Sequence, residues 1–563
     1  MRLELSDSRR LTGPNLYWDH PGAIADVVID GVAPERVVAA WARHCRRLLD
    51  AVGWADAPLT HRRYEGGASL VFAAPIDALY AACEVNEAAV ACAAAELAGA
   101  PPPENADPAC LAALIAEERN PALLALEAAA RERGAPFLWD DDEVSVGYGP
   151  GAITWPARAL PAPEAVDWGR VRGVPLALVT GTNGKSTTVR MAAAILAAAG
   201  LRAGLTSTDW IRVGDEIIDR GDYSGPGGAR ALLRDPRVEA VVLEVARGGM
   251  LRRGLGVERA DAAMVTNVAA DHLGDYGILT VDDMVEAKFV IRRALGPGAP
   301  LVLNADDARC LAKGLALDRP VTWITLDGAH ADVRAHVEAG GTAWCLDGDR
   351  LVRRRGAEAF AVARVEDLPA AMGGAARHNL HNALGAAALC HALGVPDAAI
   401  GAGLARFRGD ASDNPGRANL FEGRGVRVLV DFAHNAHGMN AIAATVRALG
   451  GERVVLLMGQ AGDRPDADIA ALVRAAVATG PHRLLACDLP GYERGRAPGE
   501  VPAVIRAAAM DAGLAADRIE HFSCPLEGTR AALGDARPGD VLVLLALTQR
   551  DEVIDLVRAH LEG

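Results

Sequence analysis

The sequence predicts an α/β protein with three domains: an N-terminal α+β domain, a central domain with a mostly parallel sheet, and a smaller C-terminal α/β domain. The chain has 563 residues, enough for three or four domains at roughly 150 residues each. From about residue 173 onward, short apolar runs alternate with Ala-rich helical segments, as in sheets covered by helices. Two stretches containing proline and glycine interrupt the chain and predict the domain boundaries.

Composition and charge exclude several classes of protein. Hydrophobic residues make up 51% and charged residues 23% of the chain, which is typical of a globular protein. The 58 basic and 73 acidic residues give a net charge of -15, which disfavours nucleic acid and anionic membranes as partners. The N-terminus lacks an apolar signal region, and the apolar stretch 541–547 is too short to span a bilayer. Nine cysteines without a C-x-x-C pair predict no disulfide framework, so we expect a cytoplasmic protein.

The N-terminal domain is predicted over residues 1–165. Ala- and Leu-rich segments between Val37 and Gly134 have apolar residues recurring at spacings of three and four, which predicts helices. The alternating segment SLVFAAP at 69–75 predicts that strands are interleaved with them. Three prolines between Ala152 and Val171 predict a linker.

The central domain is predicted over residues 170–411 and the C-terminal domain over 412–563. The apolar run PLALVTG is followed by a predicted helix from Ser186 to Ala199, and VVLEV, DAAMVTNV and PLVLNADD predict further strands before a long helix from Asn379 to Leu393. The polar segment RGDASDNPGR from Arg408 marks the second boundary. Beyond it VRVLVD, RVVLLM, RLLAC and VLVLLAL predict four more strands. Ligands of such sheets bind at the carboxyl ends of the strands.

The strongest chemical signal is the segment GTNGKST between a predicted strand and a predicted helix. Glycines allow backbone N–H groups to surround phosphate oxygens, Lys185 adds a positive charge, and Ser186 offers a hydroxyl to Mg²⁺. The usual P-loop would have glycine at position 179, where this chain has Val179, so the segment is a shorter variant. An ordinary strand-to-helix turn is the alternative. We predict that ATP binds here through Gly181, Thr182, Asn183, Gly184, Lys185, Ser186 and Thr187.

Two further polar residues follow apolar strands downstream. Glu244 follows the apolar run VVL and His272 follows TNVAAD, so both are expected at the same sheet edge as Lys185. We predict that Ser186, Glu244 and His272 hold magnesium, although magnesium prefers oxygen ligands. Taken alone, His272 is better explained as a capping or core residue, and Asp271 as an N-cap.

Six motifs in a fixed order resemble the Mur ligase superfamily. They are GTNGKS, Glu244, NVAADHLG from Asn267, Lys288 in EAKFVI, HNLHNALGAAA from His378, and the pair NPGR and VLVDFAHN. Within that superfamily, DYSGPGGA, LEVARGGMLRRGL and NVAADHLGDYG are most similar to the Mur-like half of the cyanophycin synthetase family, and LTGPNLYW is weakly similar to its start. That family carries an ATP-grasp domain between these regions, whereas this chain has only the short Pro-rich linker.

The resemblance implies a Mur ligase-like fold and an ATP-dependent, ADP-forming amide ligase. In such ligases ATP phosphorylates an acceptor carboxylate, and an amine then attacks the acyl phosphate. The implied catalytic residues are Lys185, Glu244, His272 and Lys288. Lys288 matches a family lysine that is often carbamylated. The alternative interpretation of Lys288 is an exposed lysine on a helix. The further nucleotide contacts that the resemblance implies are His378, Asn379, Asn382, Arg417, Asp431 and His434, with backbone capping as the alternative for the two asparagines.

The implied substrates are a small-molecule or peptide acceptor carboxylate and an amino acid or other small amine. Without an ATP-grasp half, we expect that the chain does not build a two-residue polymer repeat by itself. An alternative is a catalytically silent Mur-like scaffold that binds nucleotide, or a partner of a cyanophycin-type enzyme. The intact set of motif residues favours catalysis. We also expect a homo-oligomer that contacts neither nucleic acid nor membrane.

Overall fold

The computed structural model describes residues 2–562, and its N-terminal part combines helices with two antiparallel sheets. The elements of this part are β1 (Arg2–Leu11), β2 (Gly22–Asp30), α1 (Pro34–Ala51), β3 (Leu59–Tyr64), β4 (Gly67–Ala73), α2 (Leu79–Ala98), α3 (Pro108–Glu118), α4 (Pro121–Glu132), β5 (Phe137–Trp139), β6 (Glu143–Val146) and β7 (Ile153–Pro156). The larger sheet has the strand order β1-β2-β4-β3, and the smaller has the order β5-β6-β7. Apolar faces of α1 and α2 cover the larger sheet, with Trp41 and Val85 fully buried. The predicted α+β character is confirmed.

Strand β7 lies within the stretch that we predicted as a linker. It pairs antiparallel with β6, Trp155 standing opposite Val144. The prediction of a linker is therefore wrong for residues 153–156. Pro156 is the last residue of β7, which is an edge strand. Proline is tolerated there because the N–H groups on the outer side of an edge strand pair with no neighbouring strand. The domain boundaries themselves stay a prediction.

The central part, residues 176–406, forms one large mixed sheet with helices on both faces. Its elements are β8 (Leu176–Thr180), α5 (Lys185–Ala198), β9 (Ala203–Thr206), β10 (Trp210–Val213), β11 (Glu216–Arg220), α6 (Pro226–Leu233), β12 (Ala240–Glu244), α7 (Arg247–Arg253), β13 (Ala262–Val265), α8 (Val281–Lys288), β14 (Leu301–Asn304), α9 (Ala308–Leu315), β15 (Val321–Thr325), α10 (Ala331–Glu338), β16 (Thr342–Asp347), β17 (Arg350–Arg355), β18 (Glu358–Arg364), α11 (Arg377–Ala392) and α12 (Asp397–Arg406).

Strand β8 lies in the middle of this sheet, whose order is β11-β10-β9-β12-β8-β13-β14-β15-β16-β17-β18. The strands from β9 to β16 in that order run parallel, and an antiparallel hairpin extends each edge. Glu244 pairs with Val179, and Val265 pairs with Thr180. The loops that follow β8, β12 and β13 therefore meet at one place on the carboxyl edge of the sheet. The predicted mostly parallel sheet is confirmed, whereas the two edge hairpins were not foreseen.

The C-terminal part, residues 416–562, forms a second, smaller α/β unit. Its elements are β19 (Asn419–Gly423), β20 (Val426–Asp431), α13 (Ala436–Leu449), β21 (Arg453–Met458), α14 (Asp466–Val477), β22 (Arg483–Cys487), α15 (Glu500–Asp511), β23 (Ile519–Phe522), α16 (Pro525–Gly534), β24 (Asp540–Leu545) and α17 (Arg550–Glu562). The strand order is β19-β20-β24-β21-β22-β23, and only the β19–β20 pair is antiparallel within this described sheet. The four predicted strands correspond to β20, β21, β22 and β24.

Polar contacts fix the N-terminal part against the central part. The Thr12 amide donates to the Arg253 carbonyl at 2.7 Å, and Arg62 pairs with Asp283 at 3.2 Å. Gly13 lies so close to Leu255 that a Cβ atom at position 13 would stand 2.3 Å from the Leu255 carbonyl oxygen. All nine cysteines are free, as expected. Among residues 2–562, no helix has both the length and the apolar composition that crossing a bilayer requires.

Candidate active site

A cavity of about 1300 Å³ lies between the central and C-terminal parts. It is lined by the P-loop segment and by the loops that follow β12 and β13, and on its other side by loops that follow β20, β21 and β24. Both sheets thus present the carboxyl ends of their strands to one space. The sequence-predicted residues that line the cavity are Gly181, Thr182, Asn183, Gly184, Lys185, Ser186, Thr187, Glu244, His272, Lys288, Arg417 and His434.

Two glycines of the P-loop are required by its geometry. Gly181 has φ of +146°, and a Cβ atom there would stand 1.8 Å from Thr266 Oγ1. Gly184 has φ of +87°, and a Cβ atom there would stand 2.3 Å from Asn382 Oδ1. A side chain at either position would combine backbone strain with a collision. The loop can therefore keep its tight turn before α5 only with glycine at these two positions.

The loop that follows β13 lies beside the P-loop and holds it through hydrogen bonds. The Thr182 amide donates to the Asn267 carbonyl and the Asn183 amide donates to Asn267 Oδ1, both at 2.9 Å. The Asn267 side-chain amide donates in return to the Asn183 carbonyl at 3.0 Å. Lys185 Nζ donates to the Thr182 carbonyl at 3.1 Å, which folds the lysine back over the loop. Hydrogen bonds within the central part therefore hold the conformation of the P-loop.

Ser186 and Glu244 lie on either side of Thr208. Ser186 Oγ is 3.3 Å from Thr208 Oγ1, and the Thr208 amide donates to Glu244 Oε2 at 3.3 Å. Glu244 is only 2% exposed, and within the described chain its Oε1 atom has no hydrogen-bond partner. A buried carboxylate oxygen without a partner is costly. The hydroxyl and carboxylate donors here suit magnesium, so two of the three predicted ligands fit that ion.

His272 lies in a separate cluster with Asp271, His434 and Arg464. Arg464 Nη2 donates to His272 Nε2 at 2.7 Å, and Arg464 Nη1 donates to Asp271 Oδ1 at 3.3 Å. His434 Nε2 is 3.5 Å from Asp271 Oδ2. His272 is half exposed and Asp271 is not at a helix N-terminus, so the core and capping alternatives for these residues are wrong.

The charges of this cluster fix the protonation of its members. Partial withdrawal from water inside the cavity lowers the pKa of the half-exposed His272 to about 4, against the attraction of Asp271 and with repulsion from Arg464 and Arg247. Burial raises the pKa of Asp271, but the bond with His434 and the nearby cations outweigh it and hold that pKa well below its usual range. At neutral pH the cluster therefore contains a carboxylate and a neutral His272 imidazole.

Lys288 is buried at the end of α8 and lines the same cavity. Burial and repulsion from Lys185 lower the pKa of Lys288 to about 7, against the attraction of Asp271. The alternative of an exposed helix lysine is therefore wrong. At neutral pH a large fraction of this amine is uncharged.

The residues of the α11 motif and Asp431 lie behind the cavity wall rather than on it. Asn382 Oδ1 accepts from Thr188 Oγ1 at 3.4 Å and faces Gly184, while the Asn379 side chain donates to the Ala370 carbonyl at 2.9 Å. Burial lowers the pKa of His378 to about 4. His378, Asn379, Asn382 and Asp431 are not among the residues that line the cavity.

Asp431 supports the turn that carries Arg417. Asp431 Oδ2 accepts from the Ala418 amide at 2.7 Å, and burial raises the pKa of Asp431. Ala418 has φ of +52°, a strained value for a non-glycine residue, so the turn needs this support. The Arg417 guanidinium lies 4.2 Å from the centre of the Phe432 ring and lines the cavity.

Polar contacts join the two walls of the cavity. The Asn183 side chain donates to Asn435 Oδ1 at 3.1 Å and lies 2.9 Å from His437 Nδ1. Arg550 of the C-terminal part pairs with Asp209 of the central part at 2.6 Å. These contacts place Arg417 and His434 across from Lys185.

Sequence reasoning missed several charged residues of the cavity. They are Asp209, Arg247, Arg464 and Arg550, which follow the carboxyl ends of β9, β12, β21 and β24. The rule that ligands bind at the carboxyl ends of parallel strands applied to these positions too.

Comparisons with known proteins agree with this architecture. The sequence profile described as the Mur ligase middle domain matches residues 179–390, and that of the Mur ligase, glutamate ligase domain matches residues 416–546. The chain is 39% identical over 303 residues to the cyanophycin synthetase of Nostoc sp. (strain PCC 7120), a match that covers 54% of this chain and 34% of that protein. The chain thus spans about a third of the length of that relative.

One further relative and one solved structure match over more of their length. The UDP-N-acetylmuramoyl-L-alanyl-D-glutamate--2,6-diaminopimelate ligase of Geobacter metallireducens is 28% identical over 467 residues, covering 77% of this chain and 86% of that protein. The structure of E. coli FolC in complex with DHPP and ADP covers 68% of this chain and 89% of its own, with a TM-score of 0.51 and 20% identity, which shows the fold alone. Because the two matched profiles together make up more than half of the chain, the protein belongs to the Mur ligase family.

Proposed function

We propose that the protein is an ATP-dependent, ADP-forming ligase that joins an amino acid or other small amine to an acceptor carboxylate through an acyl phosphate. The observation that carries this proposal is the single cavity into which Lys185, Glu244, His272 and Lys288 project from one side and Arg417 and His434 from the other. A relative named as a 2,6-diaminopimelate ligase and one named as a cyanophycin synthetase support the reaction class.

The nucleotide end of the cavity is assigned to the P-loop. Gly181 and Gly184 allow the tight turn of the loop against Thr266 and Asn382, and Lys185 brings a positive charge to the helix N-terminus of α5. The unpartnered Oε1 atom of Glu244 and the Ser186 hydroxyl fit magnesium. We assign Ser186, Glu244 and His272 to hold it, the last once Arg464 leaves the His272 ring. When bound, magnesium would neutralise phosphate charge.

The cavity residues can carry out the two steps of the proposed reaction. Lys185 and Arg417 face the space from opposite walls and would stabilise the negative charge that spreads over the transferred phosphoryl group. An acceptor carboxylate oxygen forms a bond with that phosphorus while its bond to ADP breaks. The nitrogen of the amine then attacks the acyl carbon, and phosphate leaves with the acceptor oxygen. The amine loses one proton as the amide forms.

Lys288 is assigned a supporting role beside the phosphates. Its pKa of about 7 leaves an uncharged amine that can react with carbon dioxide to give a carbamate and a proton. The resulting anion would stand near Lys185 and Arg247, which repel the protonated amine. Carbamylation at this position, as the family resemblance implies, would replace a repulsive charge by an attractive one.

The rest of the cavity must hold both substrates. Its volume of about 1300 Å³ exceeds the range of roughly 300–1,000 Å³ that is usual for a site holding one small ligand. Arg252 and Arg253 line the end that faces the N-terminal part, and Asp222 and Glu552 also line the wall. Cations suit an acceptor carboxylate, and acids suit the amine. We assign the acceptor to the arginine side.

A substrate screen tests the proposed function. Purified protein is incubated with ATP, Mg²⁺, each amino acid and a panel of carboxylate acceptors, and ADP and amide are both measured. The expected result is ADP release that needs one acceptor and one amine together, and that is lost in Glu244→Ala. Nucleotide binding without ADP release under any pair would contradict the ligase and favour the silent scaffold. The expected cytoplasmic location and homo-oligomer stay predictions.

A further inference from the structure

The Arg62 side chain of β3 connects the N-terminal part to the segment 276–283, which leads into α8. Its Nη2 atom donates to the Tyr276 carbonyl at 3.0 Å, and its Nη1 atom donates to Asp283 Oδ1 at 3.2 Å. The Arg62 side chain is 21% exposed, so most of it is shielded from water. A planar guanidinium can hold two acceptors at once, and here it holds both ends of one segment.

The backbone of this segment is strained where the N-terminal part contacts it. Tyr276 has φ of +54°, a value that a bulky residue rarely adopts. Gly277 has φ of +67°, and a Cβ atom there would stand 2.4 Å from Cδ1 of Tyr64, which also belongs to β3. The Arg9 guanidinium of β1 lies 4.8 Å from the centre of the Tyr276 ring. Such strain persists only where the surroundings hold it, and the N-terminal part supplies these surroundings.

The central part holds the other end of the segment through Asp283. The amides of Leu279 and Thr280 donate to Asp283 Oδ2 at 3.1 and 2.9 Å, and the Asp283 amide donates to Thr280 Oγ1 at 3.1 Å. These bonds cap α8 and use Oδ2, whereas Arg62 binds Oδ1. Removing Arg62 would therefore leave the helix cap in place and release the Tyr276 end of the segment.

The segment controls two residues of the cavity wall. Tyr276 lines the cavity directly, and Lys288, the last residue of α8, lines it from a buried position. Lys288 follows Asp283 in the same helix, about 7.5 Å further along the axis at roughly 1.5 Å per residue. Because a helix transmits displacement as a rigid element, a shift at Asp283 moves Lys288 as well.

We propose that Arg62 is a positioning residue of the active site, through which the N-terminal part fixes the segment 276–283 and so sets the positions of Tyr276 and Lys288. The expected effect on turnover rests on the proposed ligase function, whereas the effect on the segment does not depend on the reaction. Among the described residues, those that line the cavity all belong to the central and C-terminal parts. The N-terminal part thus acts on the reaction through the shape of the wall.

Hydrogen exchange of the full chain, measured by mass spectrometry without nucleotide or substrate, tests the effect on the segment. In Arg62→Ala, the amides of residues 274–288 should exchange about tenfold faster than in the wild type, because a hydrogen bond that restrains the segment is lost. The amides of α5, which follows the P-loop, should exchange at the wild-type rate. They report whether the rest of the fold is intact.

Two further variants separate positioning from general packing. Arg63→Ala is the matched control, because adjacent residues of a strand point to opposite faces and Arg63 pairs with the exposed Glu35 within the N-terminal part. It should leave the exchange of residues 274–288 unchanged. Arg62→Lys should lie between wild type and Arg62→Ala, since an ammonium keeps the charge but lacks the planar fork that holds both acceptors.

Kinetics test the effect on the reaction once a substrate pair is known. Arg62→Ala should lower kcat about tenfold, because the cavity wall is no longer held in the productive position. Its affinity for a non-hydrolysable ATP analogue should change by less than about threefold, since the P-loop has its own bonds to Asn267. Arg62→Lys should recover part of kcat, and Arg63→Ala should match the wild type.

Three results would overturn the proposal. One is unchanged exchange of residues 274–288 in Arg62→Ala, or the same acceleration in Arg63→Ala. Another is equally accelerated exchange of α5, which would show a general loss of stability. The third is faster exchange of the segment with an unchanged kcat. A failed substrate screen would overturn the ligase and leave the exchange measurements valid.

Discussion

The two walls of the cavity are built in different ways. The P-loop on the central wall is held by hydrogen bonds within the central part, such as those with Asn267. The C-terminal wall brings Arg417, His434 and Arg464 into place through a few polar contacts across the gap, including Asn183 to Asn435. From this difference we propose that the central part alone binds nucleotide, whereas the ligase reaction needs both parts. The following variants test that division.

Removing the P-loop lysine should have the largest effect. Lys185→Ala should reduce ADP formation by about 10³-fold, because a charge that neutralises transferring phosphate is lost from a site that the fold does not need for packing. Lys313→Ala is the matched control, since Lys313 is a surface lysine paired with Glu286. Turnover and the circular dichroism spectrum check the result, and near-normal ADP formation by folded Lys185→Ala would remove the nucleotide site.

Removing the arginine of the opposite wall should affect turnover more than binding. We expect Arg417→Ala to lower kcat by about 10²-fold, while the affinity for a non-hydrolysable ATP analogue changes by less than about threefold. The reason is that Arg417 belongs to the C-terminal part and reaches the proposed nucleotide site only when that part is packed against the central part. Calorimetry and steady-state kinetics separate the two effects. An equal loss of affinity and kcat would contradict the division between the walls.

Breaking an ion pair between the walls should loosen their contact moderately. Burial raises the pKa of Asp209, but Arg190, Arg417 and Arg550 lower it to about 2, so Asp209 is an anion at neutral pH. Arg550→Ala removes a charged hydrogen bond worth about 1.5–3 kcal/mol. The equilibrium between molecules with the two parts packed together and molecules with them apart should then shift towards the open form at least tenfold. The radius of gyration from small-angle scattering should rise. Arg558→Ala on the same helix is the control, and unchanged scattering in both would argue for walls fixed by other contacts.

Replacing the buried Lys288 should change the thermal stability of the fold slightly, and this change should depend on pH. The pKa of Lys288 is about 7 in the folded chain against 10.5 for the ordinary group. Between these values the unfolded chain binds more protons, so wild-type stability rises with pH. Lys288→Met has no such proton, so its gain in Tm should be greatest at pH 7 or below, about 2–4 °C, and should shrink towards pH 10. The surface variant Lys313→Met should show no such trend; a gain that grows with pH would contradict the folded pKa.

Sequence reasoning identified the strands and motifs because each is a local pattern. The run LALVTGTNGKS contains its own strand, turn and helix start, so β8, the P-loop and α5 were predictable. The edge hairpin β17–β18 was not, because arginine-rich RLVRRR has no alternating apolar pattern that identifies a strand. Asn382 was recognised by its motif, but its contact with Gly184 depends on how α11 packs beside α5. Arg464 was missed because its partners lie almost two hundred residues away in sequence.

Transfer of heavy oxygen tests the central claim most directly, once the screen has supplied a substrate pair. The acceptor is labelled with heavy oxygen in its carboxylate and incubated with ATP, Mg²⁺ and the amine, and the released phosphate is analysed by mass spectrometry. An acyl phosphate must deliver one acceptor oxygen to phosphate, so the proposed ligase predicts labelled phosphate in proportion to amide, and neither product in Glu244→Ala. Amide formation with unlabelled phosphate would contradict the mechanism.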